Sequence, residues 1–168
     1  MPLTIRPTEA TLGAILTDVN LAALDDLTWR EVEDAFHQYA VLIFPGQALS
    51  AKAQVDFAMR FGEIEILVDK LKTLPVTNKD VNGGLMDDNT HRMQLLRGNE
   101  GWHTDSSYMP LSAKASVLSA HVVPSGGGET EWADVRAAYD ALDEATKERI
   151  ADLTAYHSFF YSQAKIGH

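Results

Sequence analysis

An α+β chain is predicted, on three observations: helical segments that carry their own caps, short apolar runs of strand type, and a turn-rich middle. The run Ala40-Val41-Leu42-Ile43-Phe44 is continuous and apolar and is closed by Pro45-Gly46, so a strand buried on both faces is expected. Thr28 and Glu31 stand three apart, and Val32, Ala35, Phe36 and Tyr39 follow at helical spacing. That pattern predicts a capped amphipathic helix reaching about Gln38. Between Glu63 and Glu100, Pro75, Asn78, Asn82, Gly83, Gly84, Asn89, Gly98 and Asn99 break up the apolar pieces, which predicts strands joined by long loops.

The remaining elements follow in order. Residues 3–20 carry short apolar runs broken by Thr, Gly and Pro, as in a small strand pair. Ser50 is placed to cap a second helix through Val55, Ala58, Met59 and Phe61, with Gly62 where a left-handed stop belongs. Val117 to Val123 is a further strand-like run, ended by Pro124-Ser125-Gly126-Gly127-Gly128. Glu129 to Trp132 resumes an extended pattern. Asp134 can cap a helix through Val135, Ala138, Tyr139 and Leu142, and a second helical stretch runs from about Glu144 to Leu153. Ala155 to Tyr161 reads as a strand or a helix end. No internal repeat or low-complexity tract is present.

The 168 residues fit one domain or a piece of one, read here as a single domain over residues 1–168. Lys and Arg total 14 against 24 Asp and Glu, a net charge of −10, which opposes non-specific attraction to nucleic acid or anionic lipid. There is no cysteine, so disulfides, thiolate nucleophiles, iron–sulfur clusters and cysteine zinc sites are excluded, and a metal must sit on His, Asp or Glu. No basic N-terminal segment precedes a long apolar run, and no stretch reaches the roughly 18 apolar residues of a membrane span. A cytoplasmic protein is expected.

The segment that carries chemistry is Gly101-Trp102-His103-Thr104-Asp105-Ser106-Ser107-Tyr108. An imidazole and a carboxylate two residues apart project from the same side of an extended segment and can reach one metal ion. With a second His from elsewhere they form the two-His, one-carboxylate face that holds Fe(II) and leaves three positions open. On the triplet alone, a surface His hydrogen-bonded to a nearby acid remains the plain alternative.

The wider pattern resembles one family. Trp-His-Thr-Asp-Ser-Ser-Tyr at 102–108, Pro-Ser-Gly-Gly-Gly-Glu-Thr at 124–130 and Ala137-Ala138-Tyr139-Asp140-Ala141-Leu142 are similar to the taurine dioxygenase and 2,4-dichlorophenoxyacetate dioxygenase family. Upstream, Val41 to Gln47 followed by Phe57-Ala58-Met59-Arg60-Phe61-Gly62 resembles its N-terminal signature. Residues 64–98 are the least matched. The resemblance implies a double-stranded β-helix (jelly-roll, cupin-like) core with flanking helices, and an Fe(II)- and 2-oxoglutarate-dependent dioxygenase. It maps two iron ligands onto His103 and Asp105. The Thr that helps bind the distal carboxylate of 2-oxoglutarate maps onto Thr130, a hydroxyl after a glycine turn that could instead satisfy its own backbone. Trp102 and Trp132 read more simply as core packing than as pocket walls.

The chain departs from the family in lacking an identifiable distal His and the Arg that follows it, so it reads as truncated at its C-terminus. His37 lies in the first helix, His91 in the variable loop and His121 in a strand-like run where hydrogen-bonded burial is expected. His157 matches a family position that is not a ligand, and His168 is terminal. Half a barrel would leave apolar faces and unpaired edges exposed. This segment alone is therefore expected to be unstable or inactive, while its parent protein is an enzyme.

The implied reaction couples oxidative decarboxylation of 2-oxoglutarate, with O2, to hydroxylation of an unactivated C–H bond in a small organic acid. The His-Thr-Asp-Ser-Ser-Tyr string and the Arg136 to Leu142 helix are closer to the aryloxyalkanoate branch, where ether cleavage releases a phenol, than to the sulfonate branch. Lys70, Lys72, Arg92 and Arg97 are candidates to meet an anionic substrate, with solvent-facing charge as the simpler reading of each. Two other classes stay open: a cupin-like hydrolase or isomerase using zinc or manganese, and a non-catalytic relative that binds a partner chain through an open barrel edge. A homo-oligomer is also left open.

Overall fold

The computed structural model describes residues 2–66 and 71–165. They fall into two units, one built from residues 2–60 and 117–153, the other from 61–66, 71–116 and 154–165.

In the first unit the expected strand pair forms. β1 (Thr4–Pro7) and β2 (Ala14–Thr17) are antiparallel, with Thr4 opposite Thr17 and Pro7 opposite Ala14. Thr8 closes the turn between them, its N–H donating to the Gly13 carbonyl at 3.0 Å and its hydroxyl to that of Leu12 at 2.6 Å. Gly13 has φ +100°, and a Cβ there would stand 3.0 Å from Thr8 Cγ2, so backbone and space both select glycine.

β3 (Leu42–Ile43) joins β2 in parallel, giving the order β1-β2-β3. The expected burial on both faces does not hold, because Leu42 is only half-buried and Ile43 is 43% exposed. An apolar run carries the capacity for burial, but neighbouring strands supply it, and no described strand pairs with the outer edge of β3.

Helix α1 (Asp26–Tyr39) starts earlier than the Thr28–Glu31 pattern suggests. Its cap is Asp25, whose carboxylate accepts the Thr28 N–H at 2.7 Å, and a negative acceptor at the positive end of the helix is favoured. Trp29, Val32 and Ala35 form its buried stripe. The exit is unusual: Ala40 has φ +61° and ψ −33°, and the Tyr39 carbonyl accepts the N–H of Val41 at 2.7 Å and that of Gly13 at 2.8 Å. This tight γ-type reversal delivers the chain into β3 beside β2.

Ser50 caps α2 (Ala51–Ala58) as expected, accepting the Ala53 N–H at 3.2 Å. The helix stops at Ala58, and Gly62 lies beyond its end at φ +150° rather than serving as the left-handed stop. Phe57 meets Trp29 and Phe44 edge-on, with centroids 6.2 and 5.8 Å apart. Leu16 and Val32 are fully buried, each stabilising the core by about 1.5–3 kcal/mol.

Residues 117–123 form no strand, and Leu118, Val122 and Val123 are largely exposed. A strand exists only through a ladder with a partner, and this run has none among the described residues. Helix α4 (Val135–Asp140) is capped by Asp134 as expected, and α5 (Glu144–Ile150) by Asp143.

In the second unit the expected strands reduce, among the described residues, to one isolated bridge, Lys79 with Leu85. The sequence reading missed helix α3 (His91–Gly98), capped by Thr90. Its Met, Gln, Leu and Arg are good helix formers, a signal obscured by the Asn and Gly residues around it. The segment near residue 159 resolves as helix α6 (Phe159–Lys165). The α+β class therefore stands, whereas a complete double-stranded β-helix is not present among the described residues. No described helix is long and apolar enough to cross a membrane.

Candidate metal centre

His103 and Asp105 lie in the second unit, His103 on an irregular segment and Asp105 at the start of the turn formed by residues 105–108, rather than on a strand. Their side chains converge, with His103 Nε2 3.1 Å from Asp105 Oδ1, although the expected extended strand is not what brings them together. The other ring nitrogen, Nδ1, is 2.7 Å from the Gly101 carbonyl oxygen. A carbonyl only accepts, so Nδ1 carries a proton, and Nε2 is the ring nitrogen turned toward the carboxylate. Metal-binding histidines are oriented in this way.

Asp105 is held as well. Its Oδ2 accepts the Ser116 hydroxyl at 2.8 Å, leaving Oδ1 toward His103. Directly behind it Ser106 is buried and adopts φ +56°, which turns the chain away from the pair. The Ser106 hydroxyl donates to Glu65 Oε2, and its carbonyl accepts from Met109 N–H at 2.9 Å and from the Ser112 hydroxyl at 3.1 Å. Glu65 Oε1 is buried with no hydrogen-bond partner among the described residues. Burial raises the Tyr108 hydroxyl above its ordinary pKa, and the charges of Glu65 and Asp105 add to that.

The pair fits a metal. Two ligands at about 2.1 Å from an ion and at right angles to each other lie about 3 Å apart, and Nε2 and Oδ1 are separated by 3.1 Å. Side-chain exposures of 51% and 59% leave both accessible. No group of three His, Cys, Asp or Glu able to hold a metal occurs among the described residues.

The other residues singled out in the sequence are accounted for individually. His37 is in the last turn of α1, His91 opens α3, and His157 is exposed. His121 is exposed rather than buried, because the run containing it forms no sheet. Trp102 and Trp132 are 71% and 53% exposed, so neither is core. Thr130 belongs to the first unit, exposed on a segment without regular secondary structure after Gly127 and Gly128, both at φ +75°. Arg97 pairs with Asp88 at 2.9 Å, Arg92 donates to the Pro75 carbonyl at 3.3 Å, and Lys72 is exposed. Lys70 and His168 lie outside the described residues. Sequence reasoning passed over Gly101, Ser116, Glu65 and Ser106. A hydroxyl eleven positions and a carboxylate forty positions from Asp105 leave no local signal, although Gly101 was within the motif.

Comparison with known proteins identifies the family of the chain. Residues 4–167 match the family described as taurine catabolism dioxygenase TauD, TfdA family. The chain is 49% identical over 166 residues to the (S)-phenoxypropionate/alpha-ketoglutarate-dioxygenase of Sphingobium herbicidovorans, covering 98% of this chain and 56% of that protein. It is 46% identical to the protein of the same description from Delftia acidovorans, covering 99% of this chain and 58% of the relative. Among solved structures, AAD-2 in complex with Mn(II) and N-oxalylglycine superposes with a TM-score of 0.91 at 40% identity, over 99% of this chain and 59% of that one. The chain thus spans somewhat more than half the length of the curated relatives it matches, and it belongs to the TauD/TfdA dioxygenase family.

Proposed function

We propose that the full-length gene product is an Fe(II)- and 2-oxoglutarate-dependent dioxygenase that hydroxylates an aryloxyalkanoate beside its ether oxygen. His103 and Asp105 supply two iron ligands, and Thr130 donates its hydroxyl to the distal carboxylate of 2-oxoglutarate. The observation that carries this reading is the convergence of His103 Nε2 and Asp105 Oδ1 at 3.1 Å, with the imidazole tautomer set by Gly101. Support for the substrate class comes from the two relatives at 49% and 46% identity, both described as acting on (S)-phenoxypropionate with alpha-ketoglutarate. Support for the cofactor comes from AAD-2, which holds Mn(II) and N-oxalylglycine, an analogue of 2-oxoglutarate. In this reading the third ligand and the Arg that pairs with 2-oxoglutarate come from outside the described residues, in the other half of a double-stranded β-helix.

When bound, the metal supplies activation of O2 against 2-oxoglutarate and the C–H bond of the substrate. The balance is one substrate, one O2 and one 2-oxoglutarate in, and one alcohol, one succinate and one CO2 out. The chain's residues perform positioning: the Gly101 carbonyl holds the Nδ1–H of His103 and so leaves Nε2 as the nitrogen for a metal, and Asp105 presents one carboxylate oxygen. For an aryloxyalkanoate the new hydroxyl sits on the ether carbon. Its O–H proton passes to the departing aryl oxygen as the C–O bond breaks, giving a phenol and an oxo acid.

The test is O2 consumption with succinate and phenol release by the full-length gene product, using (R)- and (S)-2-phenoxypropionate and a sulfonate. Equimolar succinate and phenol, abolished by His103→Ala, are expected. Metal binding with no O2 uptake on any substrate would favour the hydrolase or isomerase class. Absence of both would favour a non-catalytic relative.

A further inference from the structure

The Asp105 carboxylate is engaged at both oxygens. Oδ1 faces His103 Nε2 at 3.1 Å, and Oδ2 accepts the hydroxyl of Ser116 at 2.8 Å. The backbone behind it is tied down separately, through the Ser106 hydroxyl on Glu65 and the Ser106 carbonyl on Ser112 and Met109. With the main chain anchored there, the freedom left to the Asp105 carboxylate is rotation about its own side-chain bonds, and Ser116 is the group that opposes it.

We propose that Ser116 is a positioning residue that makes Asp105 a one-oxygen metal ligand; the inference rests on the metal-site reading above. An unrestrained carboxylate can offer both oxygens to a cation and so take two coordination positions. A centre that must accept a chelating co-substrate together with O2 needs three positions free. A hydroxyl donating to Oδ2 forms a charge-assisted bond that keeps that oxygen turned away, leaving Oδ1 for the metal. Ser116 touches neither metal nor substrate in this role and acts through Asp105. It is itself exposed, so its replacement removes a hydrogen bond without opening a cavity.

The experiment is anaerobic Mn(II) titration of the full-length gene product, read by the electron paramagnetic resonance of free Mn(II), for wild type, Ser116→Ala and Ser116→Thr. Thermal melting of each metal-free protein is measured in parallel. Ser116→Ala is expected to weaken Mn(II) binding by about 10- to 100-fold, the range for loss of a group that orients a ligand. Ser116→Thr, which keeps the hydroxyl, is expected to restore most of the affinity, with all three metal-free proteins melting together. Three outcomes would overturn the proposal alone: wild-type affinity in Ser116→Ala, equal losses in Ala and Thr, or affinity falling in step with melting temperature. A wild type that binds no Mn(II) would overturn the metal-site reading, and this inference with it.

Discussion

Nδ1 of His103 donates to the carbonyl oxygen of Gly101 at 2.7 Å, and that bond selects Nε2 as the nitrogen available to a metal. His103→Ala and Asp105→Ala should each weaken Mn(II) binding by the full-length gene product more than loss of an orienting partner does, so by more than roughly 100-fold. Both side chains are more than half exposed, so the metal-free variants should melt close to wild type. Titration and melting on the same samples check this, and retention of tight binding in either variant would remove that residue from the site.

Ser106 combines a buried position with φ +56°, and its hydroxyl donates to Glu65. Ser106→Ala keeps the unfavourable backbone and deprives Oε2 of that donor, at a cost of about 1–3 kcal/mol. Ser106→Gly loses the same bond but relieves the backbone, so it should be the more stable of the two by about 1 kcal/mol. Urea unfolding of both variants tests an order opposite to the usual preference for alanine over glycine.

Ala40 is the pivot between α1 and β3, at φ +61° with no glycine to relieve it. Ala40→Gly is expected to stabilise the full-length protein by about 0.5–1 kcal/mol, because glycine reaches this region without steric cost. The midpoint of urea unfolding should rise with no change in slope. A fall would mean that the γ-type reversal is not strained.

The Asp25 carboxyl is held below its ordinary pKa, chiefly by the backbone N–H of Thr28 and then by the Thr28 hydroxyl. A carboxyl that binds its proton less readily when folded stabilises the fold above its unfolded pKa, and loses that contribution as pH falls through the folded value. Asp134, lowered first by Arg136, and Asp143, lowered first by Thr146, act in the same direction. Asp25→Asn retains an acceptor that does not titrate. Its stability should therefore decline less steeply than that of wild type between about pH 5 and pH 2.5. Unfolding series at several pH values compare the slopes, and parallel slopes would contradict the assignment.

What the sequence by itself determined was set within a few residues along the chain. Ser50 and Asp134 were legible as caps because a cap joins a side chain to an N–H two or three positions away. The nearness of His103 and Asp105 was legible because they stand two apart in the chain, although the pair forms at the start of a turn rather than along a strand. Local rules also misled where two local signals competed, as when Asp25 took the cap expected of Thr28. Family membership was legible from ordered strings spread over most of the chain, which composition and spacing could not have supplied.

Tertiary structure decided what depends on partners distant in sequence. The runs at 40–44 and 117–123 carried the same strand signal, yet only Leu42–Ile43 formed a strand, because β2 lay beside it to pair. The pair of His103 and Asp105 shows the same division. His103 and Asp105 stand two apart in the chain, while Ser116, eleven residues on, returns to donate to the carboxylate oxygen turned away from the imidazole. Glu65, forty residues before Asp105, anchors the turn that follows it. Such contacts depend on where the chain returns in space, and no periodicity or motif in one dimension encodes that return.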